Sequence, residues 1–162
     1  MKHIHIECLP DEYLVKKLGF KRKYIIHHQG KSKVFHALRK KSNQVAMVDE
    51  DPESVKTNYE KSLQFREEIE GIKYFTDVSG NIILFLNGKL EDWIVSICKK
   101  ENIDLNKFGL SDNPDELHDQ INHKLKNFDD VLTALLRRNN PSILKLKTWL
   151  IEENRYMNNR NR

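Results

Sequence analysis

The sequence predicts an α/β fold, with a small and mainly parallel sheet flanked by helices, and three observations carry that expectation. Residues 2–8, 24–28 and 45–48 have the patterns of strands. Helical patterns fill the two stretches between them, at 10–19 and 31–41. The third strand, "VAMV" at 45–48, is a continuous apolar run, as expected of a strand covered on both faces.

Taken in order, residues 2–8 alternate. His3, His5 and Glu7 fall on one side and Ile4, Ile6 and Cys8 on the other, the period of a strand. Pro10 suits the first turn of a helix, and Asp11 and Glu12 complement its positive N-terminus. Leu14, Val15 and Leu18 make the buried stripe of that helix, and Gly19 can end it. "YIIHH" at 24–28 is the second strand. Gly30 opens a turn into "KSKVFHALRKK", a helix whose Val34, Phe35 and Leu38 face inward. Strand–helix–strand–helix–strand at this spacing implies right-handed parallel crossovers.

Residues 53–70 are dense in charge and fit a helix, a loop or a mixture of the two. "IKYFTDV" and "NIILFLN" fit a hairpin, or two successive short strands, around Ser79–Gly80. The second ends at Asn87–Gly88, and a helix follows with Leu90, Trp93, Ile94 and Ile97 on one side. Beyond 103 no strand pattern remains. Two Asn–Pro helix starts, at 113–114 and 140–141, frame three helices. The expected division is an α/β core over 1–103, a helical extension packed on it over 104–154, and a basic, frayed tail over 155–162.

The chain has 162 residues and a formal charge of +4, which excludes little by itself. The distribution says more. Residues 16–41 are rich in Lys and Arg and contain no acid, whereas 49–53 hold four acids. A basic region beside an acidic cluster suits a metal site that handles a polyanion. An ordinary mixed surface is the alternative. Cys8 and Cys98 sit in apolar settings without a C-x-x-C pairing, the usage of a reduced, cytoplasmic protein. The N-terminus has no signal-peptide pattern, and no apolar run is long enough to span a bilayer, so no membrane partner is expected.

The acids define the candidate site. Ligands of open parallel sheets bind beyond the carboxyl ends of the strands. Glu7 ends the first strand, with Asp11 close behind it. Asp49 and Asp51 end the third. Glu91 and Asp92 follow the strand "IILFLN" by a short turn. Carboxylates held together repel unless a hard cation such as Mg²⁺ neutralises them. Alternate positions 49 and 51 can face one ion if the backbone stays extended, with Glu50 pointing elsewhere. The local alternative is a solvated turn closed by Pro52 and an ordinary helix N-terminus at "PDE".

"IECLPDEYLVKKLG" resembles the first motif of the Toprim domain family, in which a strand-ending Glu precedes a turn and a helix. "VAMVDEDP" resembles its D-x-D motif, and "GKSKVFHALRK" fits the intervening helix of small Toprim-like bacterial proteins. The resemblance covers about residues 3–100 and extends to nucleases of overcoming-lysogenization-defect type. Two departures stand out. Cys8 occupies a position where many members have Gly, and no G-x-x-x-x-G-K-[ST] occurs.

The resemblance implies Mg²⁺, or Mn²⁺ in its place, held for phosphodiester chemistry on DNA or RNA. It implies Glu7, Asp11, Asp49, Asp51 and Glu91 as metal ligands. Glu7, Asp49, Asp51, Glu91 and Lys145 would be the catalytic set, with Lys147 competing for the place of Lys145. Lys21, Arg22, Lys23, Lys31, Lys33, Arg39 and Lys40 would track the nucleic-acid backbone. A non-catalytic module that keeps the fold, as a subunit of a defence system binding nucleic acid, a protein partner or a second copy, is the rival expectation. His3 and His5 are expected to be partly exposed strand residues, and Phe85, Trp93 and Trp149 to be core. His118 and His123, five apart, do not share a helical face.

Overall fold

The computed structural model describes residues 2–155. The sheet has six strands: β1 (Ile4–Ile6), β2 (Ile25–His27), β3 (Val45–Asp49), β4 (Gln64–Ile69), β5 (Ile72–Thr76) and β6 (Ile82–Leu86). The helices are α1 (Leu9–Lys17), α2 (Lys31–Leu38), α3 (Asn58–Ser62), α4 (Leu90–Lys100), α5 (Pro114–Ile121), α6 (Leu125–Arg137) and α7 (Pro141–Arg155). The strand order is β2-β1-β3-β6-β5-β4. β2, β1, β3 and β6 run parallel, while β5 is antiparallel to β6 and β4 to β5. The expected α/β class is therefore observed, as a mixed sheet. The tail expected from 155 onward lies outside the described residues, except that Arg155 closes α7.

Alternation along the strands sorts the core into two layers. Ile4, Ile6, Val45, Met47, Leu84 and Leu86 point to one face of the sheet. That layer is continuous with Leu14 and Val15 of α1, Ile94 of α4, Leu132 of α6 and Leu146 of α7. Ala46, Val48, Ile83 and Phe85 point to the other face and meet Val34, Phe35 and Leu38 of α2 and Tyr59 of α3. The helical extension thus shares the main core, and Lys17 of α1 joins Asp129 of α6 at 2.9 Å. Both Asn–Pro starts are helix caps. Asn113 Oδ1 accepts from the Asp115 and Glu116 amides, and Asn140 Oδ1 from Ile143.

The charged stretch at 53–70 proves to hold α3 and the edge strand β4. All six residues of β4 are exposed, so no alternation of buried positions marks it. Its partner β5 decides its conformation through a hairpin at Glu70–Gly71, both at positive φ (55° and 72°). His5 also departs from expectation. It is fully buried, stacked on His28 with ring centroids 5.1 Å apart. Burial, chiefly, holds its imidazole down at about 4.

At the amino end of the sheet, buried Asn81 ties three segments together. Its Oδ1 accepts from the Gln44 amide, and its Nδ2 donates to the carbonyls of Leu38 and Lys41 and to Asp77. Asn81→Ala would leave these buried groups unpaired. The expected cost is about 3 kcal/mol, read as a lowered urea midpoint at unchanged slope. A midpoint within experimental error of wild type would contradict this account of the junction.

Candidate functional site

The carboxyl ends of β1, β3 and β6 form one edge because these strands are adjacent and parallel. Glu7 follows β1 there, and its Oε1 accepts the Asp49 amide at 2.8 Å. Asp49 ends β3, and its Oδ1 accepts the Leu90 amide at 2.8 Å, the first residue of α4. The two acids that end separate strands thus meet at one place. Both residues are partly buried, and each has its other carboxyl oxygen free of any such amide contact among the described residues.

Asp11 lies beneath them, 3 % exposed. Its Oδ2 accepts from the amides of Glu7 and Cys8 and from the Cys8 thiol, which fastens the start of α1 to the end of β1. Glu91, in the first turn of α4, is 4 % exposed and pairs with His118 Nδ1 of α5 at 3.1 Å. The helical extension therefore reaches the acid edge. Sequence reasoning set His118 aside because it considered only pairing with His123, and nothing local to α5 indicates its partner on α4.

Burial and mutual repulsion raise the carboxyls of Asp49, Glu7 and Asp11 above the usual carboxylate range. Burial is the largest cause for Asp49, and the charges of Asp11, Glu7 and Glu91 add to it, pushing its carboxyl up to about 8. Glu7 is pushed up to about 7, mainly by burial and further by Asp11 and Asp51, against the lowering effects of the Asp49 amide and Lys31. Asp11 is raised to about 6 by burial, with Glu91 adding, against its hydrogen bonds from Cys8 and Glu7.

Lys31 is the cation beside these acids. It opens α2, and its ammonium donates to the carbonyls of Asp49 (3.2 Å) and Glu50 (3.0 Å) and pairs with Glu60 at 3.4 Å. Lys145 is elsewhere. Its ammonium lies 4.5 Å over Trp149, which packs edge-on against Tyr74 of β5. β5 stands three strands from β1, roughly 14 Å by sheet spacing.

Asp51 does not continue the strand. Its φ is +47°, its amide donates to the Gly88 carbonyl at 2.8 Å, and the extended backbone expected from 49 to 51 is absent. Its charge still acts on Glu7. Glu50 does point away, to an ion pair with Lys73. Among the described residues no group of three or more His, Cys, Asp or Glu side chains is spaced to hold a metal ion. The expected shared pocket for Glu7, Asp49 and Asp51 is thus not formed. The left-handed turn diverts Asp51, and one oxygen each of Glu7 and Asp49 is turned onto a backbone amide.

The basic residues divide between the two ends of the sheet. Lys31 and Lys33 open α2 at the acid edge. Lys21, Lys23, Arg39 and Lys40 lie at the amino end, before β2 or after α2. Arg22 starts there too, but its guanidinium pairs with Glu12 at 3.0 Å. The chain between Lys33 and Arg39 is the body of α2, so the basic groups are spread over both ends of the sheet rather than gathered around the acids.

What the fold and site define is an α/β protein with Glu7, Asp11 and Asp49 gathered, their carboxyls raised by burial, at the carboxyl edge of its parallel strands. No family model, curated protein or solved structure matches the chain. Among the described residues no helix is long and apolar enough to cross a membrane.

Proposed function

We propose that this protein hydrolyses phosphodiester bonds of nucleic acid at the acid edge, with a divalent cation of the Mg²⁺ type. The observation that carries the reading is the contact of Glu7 with Asp49, both raised by burial and by neighbouring acids. Such a cluster is stabilised by positive charge, and its all-oxygen donors are those of a hard cation. Glu7 and Asp49 would hold the ion with one oxygen each, and water would complete its coordination shell. The ion supplies polarisation of the phosphate and a lowered pKa for attacking water.

The chain's own residues do the rest. Lys31, held by the Asp49 and Glu50 carbonyls, offsets negative charge on the phosphate. Glu7, fixed by the Asp49 amide, would orient the attacking water beside the phosphate. Asp11 holds the Glu7–Cys8 backbone in place. Lys33 at the start of α2, and Arg39 and Lys40 after its end, attract the remaining phosphates.

The test is cleavage of labelled DNA and RNA in Mg²⁺ or Mn²⁺, with EDTA as control and Asp49→Ala beside wild type. Cation-dependent cleavage by wild type that Asp49→Ala loses supports the reading. Equal rates for the two proteins reject it. A second reading, a module that binds without chemistry, is favoured because the described residues contain no preformed three-residue metal group. It predicts cation-independent binding and no cleavage by either protein.

A further inference from the structure

Next to the acid edge, on the α2 side of the sheet, a recess of about 70 Å³ opens between β5, β6 and the segment around α3. Its wall is aromatic and aliphatic: Phe75, Phe85 and Leu63. Phe75 and Phe85 meet edge-on at 5.2 Å, and Phe75 is only half-buried. Its charged lining is Glu50, Glu60, Lys56 and Lys73. Glu50 and Lys73 pair with each other, while Lys56 is exposed with no ion pair among the described residues.

Glu50 is neutralised by Lys73 and Glu60 by Lys31, so Lys56 is the charge left over beside the aromatic wall, and the combination suits one kind of ligand. That ligand is a flat ring with hydrogen-bond donors and acceptors on its edge, joined to an anion. A nucleobase on its phosphate has this chemistry. The recess is also coupled to the acids. Glu50 follows Asp49 directly, and the single ammonium of Lys31 touches the Asp49 carbonyl, the Glu50 carbonyl and Glu60 of the same wall.

We propose that an unpaired nucleobase of a single strand stacks on Phe75 at the mouth of this recess, with the strand's backbone lying across the acid edge. The inference deepens the hydrolytic reading and rests on it for the position of the phosphate. A base paired within a duplex keeps its edge occupied and its faces stacked, so it cannot stack there. Single-stranded nucleic acid is therefore the substrate class. Phe75 would stack on the base, Glu50 and Lys73 would meet its edge, and Lys56 would sit over the adjoining phosphate.

The experiment measures equilibrium binding in EDTA by fluorescence anisotropy. Its probes are a short labelled oligothymidylate, its abasic counterpart and a duplex of equal length. The base-bearing single strand is expected to bind about 10-fold more tightly than the abasic one. Phe75→Leu, which keeps apolar volume without a ring, should remove most of that difference and leave abasic binding unchanged. Lys56→Ala should weaken both single strands alike.

Equal affinity of wild type for base-bearing and abasic strands overturns the proposal. So does tighter binding of the duplex. If Phe75→Leu fails to fold, the wild-type comparison alone decides. The two readings fail separately. Discrimination by wild type without any cleavage keeps the recess and removes hydrolysis. Cation-dependent cleavage with no preference for the base-bearing strand keeps hydrolysis and removes the recess.

Discussion

Asp49→Asn is expected to abolish cation-dependent cleavage, by at least about 100-fold, while making the cation-free protein more stable at alkaline pH. The two effects share one cause. Asn keeps the Oδ1 that accepts the Leu90 amide, so the link between β3 and α4 survives. It removes the charge that Asp11, Glu7 and Glu91 repel. The sign follows from the pKa. The Asp49 carboxyl is raised in the folded state from an ordinary value of 3.8 to about 8. Its contribution to stability is thus fully present below about pH 4 and is lost as pH rises through about 8.

Asn behaves as the protonated carboxyl at every pH. Wild type and Asp49→Asn should therefore melt close together near pH 4, with the variant melting higher above pH 8. Glu7, raised to about 7, and Asp11, raised to about 6, act in the same direction, so wild type should lose stability across pH 4–8. On the proposed hydrolytic reading, a bound cation would reverse the loss. At a Mg²⁺ concentration 100-fold above Kd, the stabilisation is about 2.7 kcal/mol, or roughly 5–10 °C in melting temperature for a chain of this size. That shift should be larger at pH 8 than at pH 5.5, and absent from Asp49→Asn. A cation shift of equal size in the variant would remove Asp49 from the ion's ligands.

Leu84→Ala carries the second large effect. Leu84 is fully buried on β6, between β3 and β5, and faces the layer shared with α1, α4, α6 and α7. Its removal leaves a cavity that strands paired on both sides cannot close. The expected loss is about 2–5 kcal/mol, or roughly 5–15 °C in melting temperature. Val78→Ala is the control. Val78 is 97 % exposed, and its change should stay within about 0.5 kcal/mol. Similar losses from both substitutions would contradict the single central core.

Much of the fold was legible because its elements carry their own periodicity. The run Val45-Ala46-Met47-Val48 reads as a doubly covered strand and is one, with Val45 and Met47 facing one layer and Ala46 and Val48 the other. Leu14, Val15 and Leu18 read as one helical stripe and are buried together. β4 was not legible, since an edge strand with every side chain in solvent has no burial pattern to display. Its conformation is imposed by β5. Burial of His5 escaped for a similar reason, because its cover, His28, comes from another strand's end.

The candidate site divides in the same way. Glu7 and Asp49 were legible as strand-ending acids, and the strand order brings them into contact. Sequence alone determined the chemistry available at each strand end, because residue type and period are local properties. Tertiary structure decided which of those ends meet. It turned Asp51 out of the strand through a positive φ, set Lys31 rather than Lys145 beside the acids, and brought His118 from the helical extension to Glu91. These outcomes depend on strand order, backbone turns and helix docking. They are free-energy balances over the whole chain, and no short stretch of residues encodes them.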